Sequence, residues 1–407
     1  MRILFLTHRL PYAPNRGDRI RAFHLLRALA GRAEVELFSL VHDAEEEAHA
    51  ADLRDLVRSV SIARVPRLQN RLRALAALAG RRPLTHVLLD SPKLRPALAR
   101  LVSERPPDLV FAYCSGMARF ALEPFFSKIP FVLDMVDVDS EKWAAMARAA
   151  RFPMRWIYGR EARLLARFEA RAARAANTTL VVNERERAAL ARIEPEANIR
   201  VLGNGVDVEA FRPPGPPSAE PRVVFCGVFG YRPNAEAAIW LARSVWPRVR
   251  AKRPEARLAI AGADPPLAVR RLARDPSIEV TGALSDVRPE LWKSALAAAP
   301  LATARGVQNK VLEAVAAGLP AVVTPQVFEG LPEEILPACL VASGEEAFSQ
   351  AIIDLLGRAP MERRRIAEKA ELAPLLWASR LSGLADIVAS ASASFRKPAP
   401  VSETPKR

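Results

Sequence analysis

Three cysteines in 407 residues, Cys114, Cys226 and Cys339, leave no basis for a disulfide framework. They are scattered, unpaired by spacing and set among apolar, strand-like neighbours, so they read as core packing. Five histidines without ligand spacing argue against a zinc centre. No uninterrupted apolar run reaches the roughly 18 residues of a membrane-spanning helix. The opening stretch MRILFLTHRLPYAPNRGD turns from apolar to turn chemistry too early for a signal peptide, and the expectation is a cytoplasmic protein. The first strand is followed by HRLPYAPNRG and not by G-x-G-x-x-G, which argues against a nicotinamide dehydrogenase. Zinc-finger, RNA-sheet and leucine-zipper signatures are also missing, so nucleic acid ranks last among the partners that the net charge of +15 would admit.

That charge leaves two other partners, a phosphorylated substrate and an anionic membrane surface. Arginine dominates it, a residue suited to forked recognition of phosphate. The chain is too long for one ordinary core, and half of its residues are apolar, enough to fill two. Strand-like runs RILFLT, VELFSL, LVFAYC, FVLDMV, TTLVV and NIRVLG alternate with helical segments, the first around Ile20 to Ala30. The proline-rich stretch RPPGPPSAEP follows, and then the pattern restarts with RVVFCG, a helix from Asn234 to Arg250, RLAIAG, IEVTG, LAAAPLAT and AVVT. Such alternation predicts two doubly wound parallel-sheet α/β domains of Rossmann type, whose ligands sit at the carboxyl ends of the strands, in a cleft between the domains. The expected division is residues 1–211, a linker at 212–221, a second domain at 222–372, a helix at 373–389 and a disordered tail at 390–407.

The densest chemistry lies in ARGVQNKVLEAVAAGLPAVVT, Ala304 to Thr324. Gly306 permits a close turn before a helix opening near Asn309, whose N-terminal amides and dipole favour an anion. Lys310 adds charge in the first turn, and Glu313, three residues on and on the same face, can accept hydrogen bonds from a vicinal diol such as a ribose. Gly318 reads as the C′ glycine, Pro320 blocks continuation, and Ala321 to Thr324 form a short buried strand. The same segment also fits an ordinary loop, helix and strand.

Further candidates surround it. In CGVFGYRPNAEAAIWL, Gly227 and Gly230 slim the strand-to-helix turn, Arg232 can reach a diphosphate, and Asn234 either caps the helix or touches the ligand. Asp286 in TGALSD reads as a helix cap, and EGL at Glu329 to Leu331 reads as a plain or a site-lining loop. In the first domain His8 ends the first strand, Gly17 precedes a helix, and Arg16, Arg19 and Arg21 offer charge to an anion or to solvent. Asp134, Asp137 and Asp139 cluster at a strand end in FVLDMVDVDSEKW, where they can meet hydroxyls or cap the next helix. Asn204 and Gly205 form a hinge turn in LGNGVDVEAF. Two basic, apolar stretches, RLQNRLRALAALAGRRP and WAAMARAARFPMRWIYGREARLLARFEARAARAA, read either as sheet-packing helices or as membrane-facing ones.

The combination PYAPNRGDRIRAFHLL, VDVDSEKW, NGVD and ARGVQNKVLEA resembles retaining glycosyltransferases of family 4, and is most similar to the sugar transferases beside bacterial PEP-CTERM exopolysaccharide systems. The resemblance covers nearly the whole chain except the tail. It implies the GT-B fold, two Rossmann-like domains face to face, and transfer from a nucleoside-diphosphate sugar to a saccharide or lipid-linked acceptor without an obligatory metal. By the same resemblance Glu313 holds the ribose, Lys310 and Arg232 neutralise the diphosphate, Ala283 and Leu284 border the base, Gly17 and Gly227 admit the donor, and Asp137 lies near the acceptor. Many members carry a second glutamate eight positions before Glu313; that position here is Arg305, a candidate catalytic contact to phosphate or sugar, and a subgroup with a KVLEA-type helix likewise lacks the acid. The rivals are a nucleotide-sugar epimerase or hydrolase on the same fold and a non-catalytic sugar-binding or membrane-surface protein.

Overall fold

In the computed structural model residues 1–12, 17–304 and 306–396 are described. Two compact units emerge, Met1–Leu202 with the chain from Leu381 onward, and Gly203–Arg380. The first holds seven strands: β1 (Arg2–Thr7), β2 (Glu34–Val41), β3 (Ser59–Arg64), β4 (Leu109–Tyr113), β5 (Phe131–Val136), β6 (Thr178–Val181) and β7 (Ile199–Val201). They form one parallel sheet in the order β3-β2-β1-β4-β5-β6-β7. The second holds β8 (Arg222–Cys226), β9 (Arg257–Ala261), β10 (Ile278–Gly282), β11 (Leu296–Ala299), β12 (Ala321–Val323) and β13 (Cys339–Val341), in the order β10-β9-β8-β11-β12-β13. Both are Rossmann-like sheets, as the alternation predicts.

Every residue of β1 and β4 is buried, because helices cover both sheet faces; central strands therefore read as continuous apolar runs. Two strands escaped the sequence reading, β3 and β13, and both are sheet edges. In β3 only Ala63 is buried, and in β13 no residue is, so neither edge strand has the buried pattern of the central ones. The helix expected from Asn234 to Arg250 is Arg232–Trp240, a π turn at Leu241–Val245, and Trp246–Lys252. Pro247 has no amide to donate, and the π turn just before it absorbs the break in the ladder.

The boundary also differs from the expected one. The first crossing falls between Leu202 and Gly203, just ahead of the NGVD turn, and the proline-rich stretch belongs to the second unit, where the Ser218 carbonyl accepts from Arg363 Nη2 at 2.8 Å. Gly205 is required there: a Cβ would lie 2.8 Å from the Trp377 backbone. The last helix, Leu384–Arg396, runs past the expected stop at Ala389 because Ile387, Val388 and Ala391 are buried in the first unit, beside β5 and the helix Gly17–Ala30. The remainder of the expected tail, residues 397–407, lies outside the described residues.

Candidate functional site

The strand order of the second unit reverses between β8 and β11, the position at which a doubly wound sheet opens a crevice. The loop after β8 carries Gly227 and leads into the helix Arg232–Trp240 with Asn234 in its first turn, and the loop after β11 carries Gly306 and leads into the helix Asn309–Ala316 with Lys310 in its first turn, so neighbouring strands deliver both motifs to one place. Lys310 Nζ donates to Asn234 Oδ1 at 2.7 Å, and Asn234 Nδ2 donates to the Val228 carbonyl at 2.9 Å. Asn234 is thus no cap: Tyr231 holds the cap position, and the amide side chain turns inward to orient the lysine. Gly227 completes the contact, since a Cβ there would lie 3.0 Å from Asn234 Nδ2 and 3.2 Å from Lys310 Nζ. Behind the ammonium, 4.9 Å away, is the Phe225 ring.

The helix Asn309–Ala316 starts where expected and has no side-chain cap on its first turn. It ends in a Schellman motif: Leu319 N–H reaches Ala314 O at 3.0 Å, Gly318 N–H reaches Val315 O at 2.8 Å, and Gly318 has φ +77. Desolvation pushes the Glu313 carboxyl up to about 7 against the pull of Lys310, and pushes the Lys310 ammonium down to about 8. An anion on Lys310 and a diol on Glu313 both need the charged forms. Binding of a ligand that offers both groups is therefore expected to peak between pH 7 and 8, falling on the acid side as Glu313 protonates and on the alkaline side as Lys310 loses its proton. Calorimetric titration across pH checks this; the acid limb should flatten in Glu313→Gln, and a limb unchanged in that variant would assign the titration elsewhere.

Gly306 has φ +63, a left-handed conformation in the place where a close turn is expected, and its carbonyl lies 2.5 Å from where a Gly330 Cβ would stand, so the EGL loop packs on the motif loop. Arg305 lies outside the described residues. Arg232 is two-thirds exposed and bonded to Glu236 Oε1 at 2.7 Å on its own helix. Ala283 is exposed and, with Asp264, Arg270, Thr281 and Gly282, lines a cavity of ≈ 490 Å³; Leu284, next to it, is half-buried. Asp286 accepts from the Arg288 backbone at 3.0 Å, one residue ahead of the cap position, which Val287 occupies.

In the first unit the order reverses between β1 and β4. His8, at the end of β1, stacks on Tyr113, at the end of β4, with ring centres 5.9 Å apart. Gly17 opens its helix, and Arg16 lies outside the described residues. Arg21 cannot meet a ligand: it is wholly buried, with Nε 2.8 Å from Asp134 Oδ2, which removes Asp134 from the acceptor candidates as well. Arg19 lies 3.5 Å from Glu46, a buried carboxylate that also accepts the Leu10 and His42 amides. Asp139 stands in the first turn of its helix and accepts from Ser115 Oγ, while Glu169, pushed up to about 8 by burial, takes the Ser140 amide. Asp137 differs from these. Its Oδ1 is buried without a hydrogen-bond partner among the described residues, and burial, with Glu186 and Asp139 close by, pushes its carboxyl up to about 7. It emerges beside Val136, at φ +66, costly for a β-branched residue and tolerated where the surroundings fix it.

Residues 17–205 match the family model described as "Glycosyl transferase 4-like domain", and residues 220–358 match "Glycosyl transferases group 1". The chain belongs to the GT-B glycosyltransferases. Among solved structures of that fold, sucrose-phosphate synthase from Thermosynechococcus elongatus is 15% identical at a TM-score of 0.67, covering 97% of this chain and 100% of its own. Anabaena Alr3699/HepE in complex with UDP and glucose is also 15% identical at 0.67, covering 96% and 100%. WaaG, a glycosyltransferase involved in lipopolysaccharide biosynthesis, is 15% identical at 0.57, covering 97% and 98%. No curated protein matches the chain.

For a glycosyltransferase of this fold, two supporting contacts were hidden from the sequence reading. Asn204 Nδ2 donates to Asn309 Oδ1 at 2.9 Å, tying the NGVD turn to the start of the motif helix. Gly262, at φ +143, brings its backbone so close to Gly227 that a Cβ would lie 1.9 Å from the Gly227 carbonyl. The AGADPP turn was visible as a turn, but nothing local to it names the strand loop it abuts.

Proposed function

We propose that this glycosyltransferase moves a sugar from a nucleoside diphosphate to a hydroxyl of a saccharide or lipid-linked acceptor in exopolysaccharide assembly, with retention of configuration. The observation that carries the donor half is the desolvated Lys310 amine, held by Asn234 one turn from the Glu313 carboxylate at an uncapped helix start. The bond from the sugar's anomeric carbon to the diphosphate breaks, the bond to the acceptor oxygen forms on the same face, and the acceptor proton passes to a diphosphate oxygen. Lys310 and the helix amides take the charge that develops on the leaving group, with no obligatory metal. Glu313 fixes the ribose, and the cavity lined by Ala283 seats the base. Asp137, with its unsatisfied oxygen, is the best-placed partner for an acceptor hydroxyl. The solved complexes of Alr3699/HepE with UDP and UDP-glucose support a uridine diphosphate donor as the first to try.

Thermal unfolding with a panel of nucleoside diphosphates tests the reading. At a hundredfold excess over Kd a ligand selective for the folded state contributes about 2.7 kcal/mol, or a shift on the order of 5 °C for a unit of this size. One diphosphate should give that shift in the native chain and lose most of it in Glu313→Ala; no response to any of them would sink the donor assignment. Free or isomerised sugar formed from donor alone would favour the hydrolase or epimerase.

A further inference from the structure

The helix Arg67–Ala77 presents an apolar stripe outward. Leu68, Leu72 and Leu75, at i, i+4 and i+7, are 73%, 64% and 66% exposed, while Asn70 on the opposite face is fully buried and donates to the carbonyls of Leu88 and Asp90. A soluble core helix has the reverse arrangement. From Arg67 to Arg82 the sequence holds five arginines and no acid. The first part of the second basic stretch, Trp143 to Gly159, holds three arginines and no acid, and exposes Phe152 at 85% and Trp156 at 51%. The two are fastened together. Arg160 Nη2 donates to the carbonyls of Ala77, Gly80 and Arg82, and Glu161 accepts the amides of Leu84 and Thr85. Exposed leucines, two exposed aromatics and arginines thereby stand on neighbouring segments of the first unit, and of Arg67, Arg71, Arg73, Arg81 and Arg82 only Arg67, near Asp43, forms an ion pair among the described residues.

We infer that this face docks on a bilayer surface rich in anionic headgroups. The leucines and aromatics enter the headgroup boundary, and the arginines pair with lipid phosphates. Charge complementarity selects this occupant: a second copy of the same face would set arginine against arginine. No helix among the described residues is long and apolar enough to cross a membrane, so attachment is by surface contact. The inference deepens the lipid-linked part of the proposed function and rests on it for its purpose.

Sedimentation of the full chain with vesicles tests it. The native chain should pellet with phosphatidylglycerol-containing vesicles and remain in solution with pure phosphatidylcholine. Leu72→Glu/Leu75→Glu and, separately, Arg71→Glu/Arg73→Glu should each weaken binding by about tenfold or more, because several interfacial contacts are lost or reversed at once. These side chains are exposed, so the diphosphate-induced thermal shift should be the same in both variants as in the native chain. Native chain that ignores anionic vesicles, variants that pellet as well as it does, or vesicle-free dimerisation abolished by the leucine changes would each overturn the inference. Vesicle binding without any diphosphate response would instead count against the donor site alone.

Discussion

Under the proposed reaction Lys310→Met is expected to lower transfer by about a hundred- to a thousandfold in kcat/KM, the usual cost of losing one oriented donor to a developing oxyanion. The loss should fall mainly on kcat, since in the proposed reaction the ammonium meets more charge in the transition state than in the bound donor. Folding should not suffer. The Lys310 ammonium is pushed down to about 8, so its contribution to stability is full only above its unfolded value and declines as pH falls through 8; at pH 7 the native chain carries a desolvated charge that methionine does not. The variant is thus expected to be as thermally stable as the native chain, or more so, and nearly inactive. Steady-state kinetics beside thermal unfolding reads both. A stable variant with native kcat would remove Lys310 from the chemistry, and an unfolded one would make it a structural residue. Asn234→Ala should follow with a smaller loss, since it releases the lysine without deleting it.

The contrast between what could and could not be read from the sequence is sharpest at this site. Gly306, Lys310, Glu313 and Gly318 sit on one short segment, where turn, helix start and helix end each have a local chemical signature, and the structure places that loop, helix and strand where those signatures put them. Asn234 sits on a different segment, and its partner is 76 residues away. Only the sheet order, with β8 beside β11, brings them together, and strand order is not a local property. The arginines teach the same lesson in reverse. Arg19 and Arg21 look like one basic patch in a string of letters, but two residues along a helix rotate a side chain by about 200°. One therefore lies beside Glu46 and the other disappears into the core on Asp134, 113 residues on. Arg232 was legible as a cation after a strand; its engagement by Glu236 follows from i,i+4 spacing that was present in the sequence all along.

Arg21→Met is expected to destabilise the amino-terminal unit by about 3–5 kcal/mol, the largest stability effect at any position considered, because it strips a wholly buried carboxylate of its partner. The consequence reaches the candidate acceptor site through the backbone. Asp134 Oδ1 accepts the Val136 amide at 3.1 Å as well as Arg21 Nη2 at 3.2 Å, at the point where the pairing of β5 with β6 shifts register and Val136 takes its positive φ. The ion pair therefore fixes the strand end from which Asp137 emerges. Burial already pushes the Asp134 carboxyl up, and removing the guanidinium pushes it further. A carboxyl whose folded pKa exceeds its unfolded value contributes stability at low pH and loses it as pH rises through the folded pKa, so the deficit of Arg21→Met should grow as pH rises. Urea unfolding at pH 5 and pH 8 measures it. Adding Asp134→Leu should recover most of the loss, since an apolar pair of similar volume replaces a buried ion pair at little cost. If the deficit is the same at both pH values, the pair acts by packing and not by charge. Recovered stability in the double variant without recovered transfer would show that the carboxylate is kept for the geometry it imposes on Val136 and Asp137.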